Sequence, residues 1–190
     1  PAPGFLEVLR DMTLKYDIPL IFDEIVTGFR FAYGGAQEFY SVTPDLCSLG
    51  KIIGGGFPLA AVGGRKDLMQ LFDKDAVGDQ HFLPQIGTLS GNPVASAAGL
   101  ATLEILKPKS AYETVFDTGR VLMGELEAAM KDYGHSAVIL GEPPLFDVFF
   151  TDNEISDYRG ILQADARKGT AFNKLLRSNQ VFKGDSKFYI

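Results

Sequence analysis

Asp23, Lys51 and Thr88 stand where short apolar runs or glycine turns end. Asp23 directly follows Ile18-Pro19-Leu20-Ile21-Phe22, and Lys51 follows Pro44-Asp45-Leu46-Cys47-Ser48-Leu49 through Gly50. In an open α/β sheet, ligands bind beyond the carboxyl ends of the strands, so both residues would face one crevice. Lys51 also lies between Gly50 and Gly54-Gly55-Gly56. A lysine held in such a crevice is partly desolvated, which disfavours the ammonium and frees an amine to attack a carbonyl. A carboxylate in the same crevice can hold a protonated ring nitrogen by a charge-assisted hydrogen bond. A lysine Schiff base and an acid on a pyridinium nitrogen are the minimum that pyridoxal phosphate (PLP) chemistry asks of a protein. The Thr88 hydroxyl and the backbone N–H groups of Gly87-Thr88, near a helix start, can bind a phosphate.

Short elements would position these groups. Phe5, Leu6, Leu9, Met12 and Tyr16 recur on a helical period after a Pro/Gly start. The run 18–22 is too short for a helix and has no polar residue, which predicts a strand buried on both faces. A helix followed by such a strand is half of a βαβ unit. Residues 44–49 predict a second strand and Leu59–Val62 a third apolar run; 65–73 predict a short helix and 74–87 a loop. Asn92 suits a helix N-cap and Pro93 the first helical position. The helix they open, to about Leu106, is rich in Ala and Gly, so it can lie close to a neighbour. A long amphipathic helix follows to about Lys131, then strands at 138–140 and 145–150, a helix at 161–178 and a terminal strand at 187–190. The first half thus reads as α/β and the second as α+β, with a boundary near residue 106.

The wording of the motifs carries more than their spacing. Ile21-Phe22-Asp23-Glu24-Ile25-Val26-Thr27-Gly28-Phe29-Arg30, followed by Pro44-Asp45-Leu46-Cys47-Ser48-Leu49-Gly50-Lys51-Ile52-Ile53-Gly54-Gly55-Gly56, closely resembles the signature of class III PLP-dependent aminotransferases. Gly35-Ala36-Gln37-Glu38 and Gly87-Thr88-Leu89-Ser90-Gly91-Asn92-Pro93 resemble the glutamate-1-semialdehyde 2,1-aminomutase branch. The resemblance covers nearly the whole chain and is closest over residues 1–106. It implies an α/β type I PLP-dependent transferase fold. Residues 1–106 would be the C-terminal portion of the large PLP-binding domain, and 107–190 an incomplete small domain. It implies amino-group transfer on a small-molecule amine or amino acid, in a cytoplasmic homodimer with its active site at the subunit interface. Carried over residue by residue, Asp23 pairs with the pyridine nitrogen and Ile25 packs on one face of the ring. Lys51 forms the internal aldimine and then shuttles a proton between substrate and cofactor. Gly87 and Thr88 contact the cofactor phosphate of the neighbouring subunit.

The chain departs from that pattern in places. Val26 stands where many class III aminotransferases carry Gln, as also fits the aminomutase-like branch. Gly78-Asp79-Gln80-His81-Phe82-Leu83-Pro84-Gln85 differs from the usual aminomutase approach to the Gly-Thr loop, and Gly184-Asp185-Ser186-Lys187-Phe188 lacks the Glu found there in aminomutases. Both departures favour a transaminase over the intramolecular mutase. The mutase proper, acting in tetrapyrrole synthesis, and a non-catalytic remnant are the alternatives. The chain opens Pro1-Ala2-Pro3-Gly4 without Met and closes on Phe188-Tyr189-Ile190, which predicts a piece of a longer protein.

Composition excludes other classes. The 190 residues are 46% hydrophobic and 22% charged, as in ordinary globular domains. No apolar run reaches the ~18–20 residues of a membrane span. The net charge is −6, and no Lys/Arg cluster suits nucleic acid. One Cys, Cys47, fits a reducing cytosol and allows no internal disulfide. With two His, His81 and His135, far apart, no zinc-ligand spacing exists. Plainer readings stand beside the chemical ones: a solvated surface lysine at 51, a turn acid at 23, a turn threonine at 88. Glu24 reads as structural, Cys47 as a small core residue. Gly50-Lys51 is followed by Ile52 rather than Ser/Thr, so the glycines are no P-loop. A nucleotide-binding protein would share the sheet but needs a Gly-x-Gly-x-x-Gly after its first strand, which is absent.

Overall fold

The computed structural model describes residues 1–184 and 187–190 and divides the chain into two compact units, Pro1–Tyr112 and Glu113–Ile190. Asp185 and Ser186, part of the segment compared with the aminomutases, lie outside the described residues.

In the first unit, helix α1 (Phe5–Lys15) leads into strand β1 (Ile21–Glu24), one-turn helix α2 (Gly35–Phe39) and strand β2 (Leu46–Leu49). Strand β3 (Ala61–Gly64), helix α3 (Lys66–Met69), helix α4 (Lys74–Val77) and helix α5 (Pro93–Leu106) follow. The sheet order is β1-β2-β3. β1 and β2 run parallel, with Asp23 opposite Ser48, whereas β3 is antiparallel to β2. This unit therefore contributes one parallel and one antiparallel pairing.

β1 begins three residues later than the apolar run suggests, and it is not buried on both faces: Ile21 is 61% exposed. Among the described residues it pairs with β2. The expected loop at 74–87 holds a helical turn, because Asp73 accepts hydrogen bonds from the backbone N–H groups of Asp75 and Ala76 and caps α4. The expected cap of α5 is present: Asn92 Oδ1 accepts from Val94 N at 2.9 Å and Ala95 N at 3.2 Å.

A buried carboxylate anchors β2. Asp45 is 4% exposed and lies just before the strand. It accepts from Leu20 N at 2.7 Å, pairs with Arg10 of α1 at 2.8 Å and with Arg65, just past β3, at 2.9 Å. The Leu20 amide and the two guanidiniums hold its carboxyl down at about 2, against an ordinary 3.8. A depressed native value stabilises the fold above the ordinary value, and that stabilisation fades as pH falls toward the native one. Asp45→Asn is thus expected to cost about 2 kcal/mol near neutral pH. The gap from wild type should close as pH falls from about 4 to about 2. Urea midpoints at both ends of that range measure it; a constant gap would refute the assignment.

The second unit is built on helix α6 (Lys109–Asp132), which starts in the first. Strands β4 (Val138–Glu142) and β5 (Leu145–Phe149), helices α7 (Tyr158–Ile161) and α8 (Ala166–Ser178), and strand β6 (Phe188–Tyr189) complete it. Its antiparallel sheet runs β4-β5-β6. Phe146, Val148, Phe150 and Phe188 form its core, packed against Leu122, Met123, Leu126 and Met130 of α6 and Phe172 and Leu176 of α8. Gly119 lets α6 meet the β4–β5 turn, since a Cβ there would stand 2.1 Å from the Pro143 carbonyl oxygen. The helix expected at 161–178 begins at Ala166, because Asp165 caps its start by accepting from Arg167 N and Lys168 N. Lys183 is buried, bonded to Asn173 and paired with Asp147 at 3.2 Å. No helix among the described residues is long and apolar enough to cross a membrane.

Candidate active site

The parallel register brings the two sequence-derived reactive groups to one end of the sheet. Asp23 is the third residue of β1, and Lys51 lies two residues past the end of β2. Both therefore sit at the carboxyl ends of neighbouring parallel strands, the ligand-binding side of such a sheet. No hydrogen bond or ion pair joins them among the described residues.

Asp23 is exposed, and its oxygens differ. Oδ1 accepts from the Ile25 backbone N–H at 3.0 Å and from the Ser48 hydroxyl at 3.2 Å. Oδ2 has no partner among the described residues. Ile25 comes next on this edge, and its side chain lies over Gly50: a Cβ at Gly50 would stand 3.0 Å from Ile25 Cδ1. A larger residue before the lysine would need the tip of Ile25 to give by a few tenths of an ångström.

Lys51 opens a 3-10 turn, Lys51–Gly54, in which Ile53 N donates to Gly50 O at 3.3 Å. Its φ of 50° is left-handed, a region non-glycine residues rarely enter. The side chain is exposed, and Nζ makes no ion pair or hydrogen bond among the described residues. α5 supports the turn from beside it. A Cβ at Gly99 of α5 would stand 2.8 Å from the Ile53 carbonyl oxygen, and one at Gly55, whose φ is 57°, would stand 2.3 Å from Thr102 Oγ1. The small residues of α5 are what let it pack this closely.

Glu24, next to Asp23, points away from this chemistry. It is 1% exposed and accepts from Ala36 N at 2.8 Å, Gln37 N at 2.9 Å and Thr27 Oγ1 at 2.5 Å. It caps the short α2 and fixes the chain that returns to β2. Gly87 and Thr88 enter an exposed turn before α5, in which Ser90 N donates to Gly87 O at 3.0 Å. The structure does not join them to Asp23 or Lys51 by any hydrogen bond among the described residues. A cavity of about 330 Å³ bordered by Asp23 is lined by Leu6, Leu9, Phe22 and Tyr40; Lys51 is not in its lining, so it is not the reactive crevice.

Sequence reasoning did not single out Ser48. Its only signal was a hydroxyl inside an apolar run, three positions before the lysine. Its pairing with Asp23 depends on the strand register, which spacing alone does not fix.

The donor set suits a ring that carries a carbonyl at one end and a basic nitrogen at the other. A carboxylate oxygen and an amine without partners among the described residues stand past the carboxyl ends of neighbouring parallel strands, with the Ile25 side chain beside Gly50.

The model of the family described as aminotransferase class-III matches residues 1–175. The chain is 43% identical over 188 residues to a glutamate-1-semialdehyde 2,1-aminomutase of Pelotomaculum thermopropionicum, covering 99% of this chain and 42% of that protein. An omega-transaminase from Sphaerobacter thermophilus superposes with a TM-score of 0.89 at 32% identity, over 99% of this chain and 43% of that one. A transaminase solved with PLP bound gives a TM-score of 0.84 at 27% identity, over 99% of this chain and 42% of that one. The chain thus spans less than half the length of these proteins.

Proposed function

This chain belongs to the class-III aminotransferase family, and from that premise we propose that it carries the lysine and the ring-nitrogen acid of a PLP-dependent enzyme that moves amino groups. The observation that carries the reading is the parallel β1–β2 pair, which ends in a carboxylate oxygen and an amine that have no partner among the described residues. Asp23, Ile25 and Lys51 would hold PLP, and Gly87 and Thr88 would meet the phosphate of the cofactor in a second subunit. In this reading residues 1–106 belong to the large domain, 107–190 to the small one, and two copies pair in the cytoplasm.

Bound there, PLP supplies a ring that takes up the charge left when the carbon bearing the amine loses its proton. The chain's residues do the rest. Lys51 would hold the cofactor through its amine until an incoming amine takes its place. Once free, Nζ accepts the proton from that carbon and delivers one back, as general base and then general acid. The carboxylate of Asp23 would accept a hydrogen bond from the ring N–H, an interaction that favours the protonated nitrogen. Ile25 would lay hydrocarbon against one ring face and keep water off it.

The substrate is a small amine or amino acid. The departure at residues 78–85 supports a transaminase; the 43% identity to an aminomutase supports the intramolecular reaction as a second reading. A transaminase needs a carbonyl acceptor for every turnover and a mutase needs none, so turnover with and without an acceptor separates them.

The full-length protein with PLP is expected to absorb in the visible through a lysine-bound cofactor. Borohydride reduction followed by peptide mass spectrometry should place the added mass on Lys51. A colourless protein, or the mass on another lysine, overturns the reading.

A further inference from the structure

We propose that Ser48 is a positioning residue that locks Asp23 so that only Oδ2 is presented to the cofactor ring nitrogen. The proposal rests on the PLP reading above.

A carboxylate oxygen has two lone-pair sites. Both sites of Asp23 Oδ1 are filled, one by the Ile25 N–H at 3.0 Å and the other by the Ser48 hydroxyl at 3.2 Å. Oδ2 is left open. The two donors come from different places: one from the chain just after β1, the other from the neighbouring strand at the register position opposite Asp23. Together they fix the carboxylate's rotation about its last bond, which one donor alone leaves free to swing.

Asp23 is exposed and would otherwise sample several rotamers. A group pre-set in its bound orientation need not lose that freedom when the ligand arrives, which strengthens binding. The hydroxyl does this without adding a charge. It touches neither substrate nor reacting atoms, so it acts only through the acid.

The test is calorimetric titration of the PLP-free full-length protein with PLP, for wild type, Ser48→Ala and Ser48→Thr. Ser48→Ala is expected to bind PLP about 10-fold more weakly, the scale of one hydrogen bond to a charged group. Its urea midpoint should stay at the wild-type value. Ser48→Thr keeps the hydroxyl and suits a strand, so it should restore the affinity. Equal PLP affinity in wild type and Ser48→Ala overturns the proposal and leaves the PLP reading intact. A Thr variant as weak as the Ala variant also overturns it, because the effect would then belong to packing. If wild type itself binds no PLP, the parent reading fails instead.

Discussion

Lys51→Ala in the full-length protein is expected to lose the visible cofactor band and to slow amino-group transfer by about 10⁴-fold or more. The amine has two duties, holding the carbonyl carbon and carrying the proton, and alanine performs neither. General acid–base catalysis alone contributes about 10²–10⁴-fold, and losing the covalent attachment adds to that. The fold should survive. The side chain is exposed and unpaired, and alanine bears the same left-handed backbone that lysine does. Added small primary amines should restore part of the proton transfer but not the attachment of cofactor to protein. A retained band, or a rate within tenfold of wild type, would end the assignment.

Asp23→Asn is the second large effect: a rate lower by about 10²–10³-fold, the scale of removing a preorganised electrostatic partner. Asparagine is nearly the same shape, so the hydrogen bonds now made to Oδ1 have a counterpart. What it lacks is charge. With its oxygen held by the Ile25 N–H and the Ser48 hydroxyl, it turns its amide N–H to the open position, where it opposes the ring N–H. Asp23→Glu keeps the charge on a longer arm and should fall between. Stopped-flow measurement of proton loss from an α-deuterated amine locates the defect in the step that Asp23 supports. An Asn variant at the wild-type rate would show that the exposed carboxylate serves the surface only.

Much of this was legible in the chain because local chemistry decides it. Asn92-Pro93 announces a helix start, and the structure shows the cap. Asp23 and Lys51 follow short apolar runs, and the parallel pairing places both at the carboxyl ends. What escaped depends on partners distant in sequence or on elements too short to show a period. Glu24 meets the amides of Ala36 and Gln37, and no local pattern joins a strand end to a helix start across that loop. α4 is a single turn made by the Asp73 cap, below the length at which apolar spacing registers. The start of α8 is likewise set by the Asp165 side chain, whereas the apolar period begins before it.

The left-handed backbone at Lys51 bears on the history of such chains. A residue with a β-carbon in that conformation carries a penalty of about 1 kcal/mol, which glycine does not. While the amine is needed, selection keeps the less comfortable residue in place. In a duplicated copy relieved of that need, drift at this codon runs downhill toward glycine. A relative with glycine there would have lost the amine, and with it the chemistry.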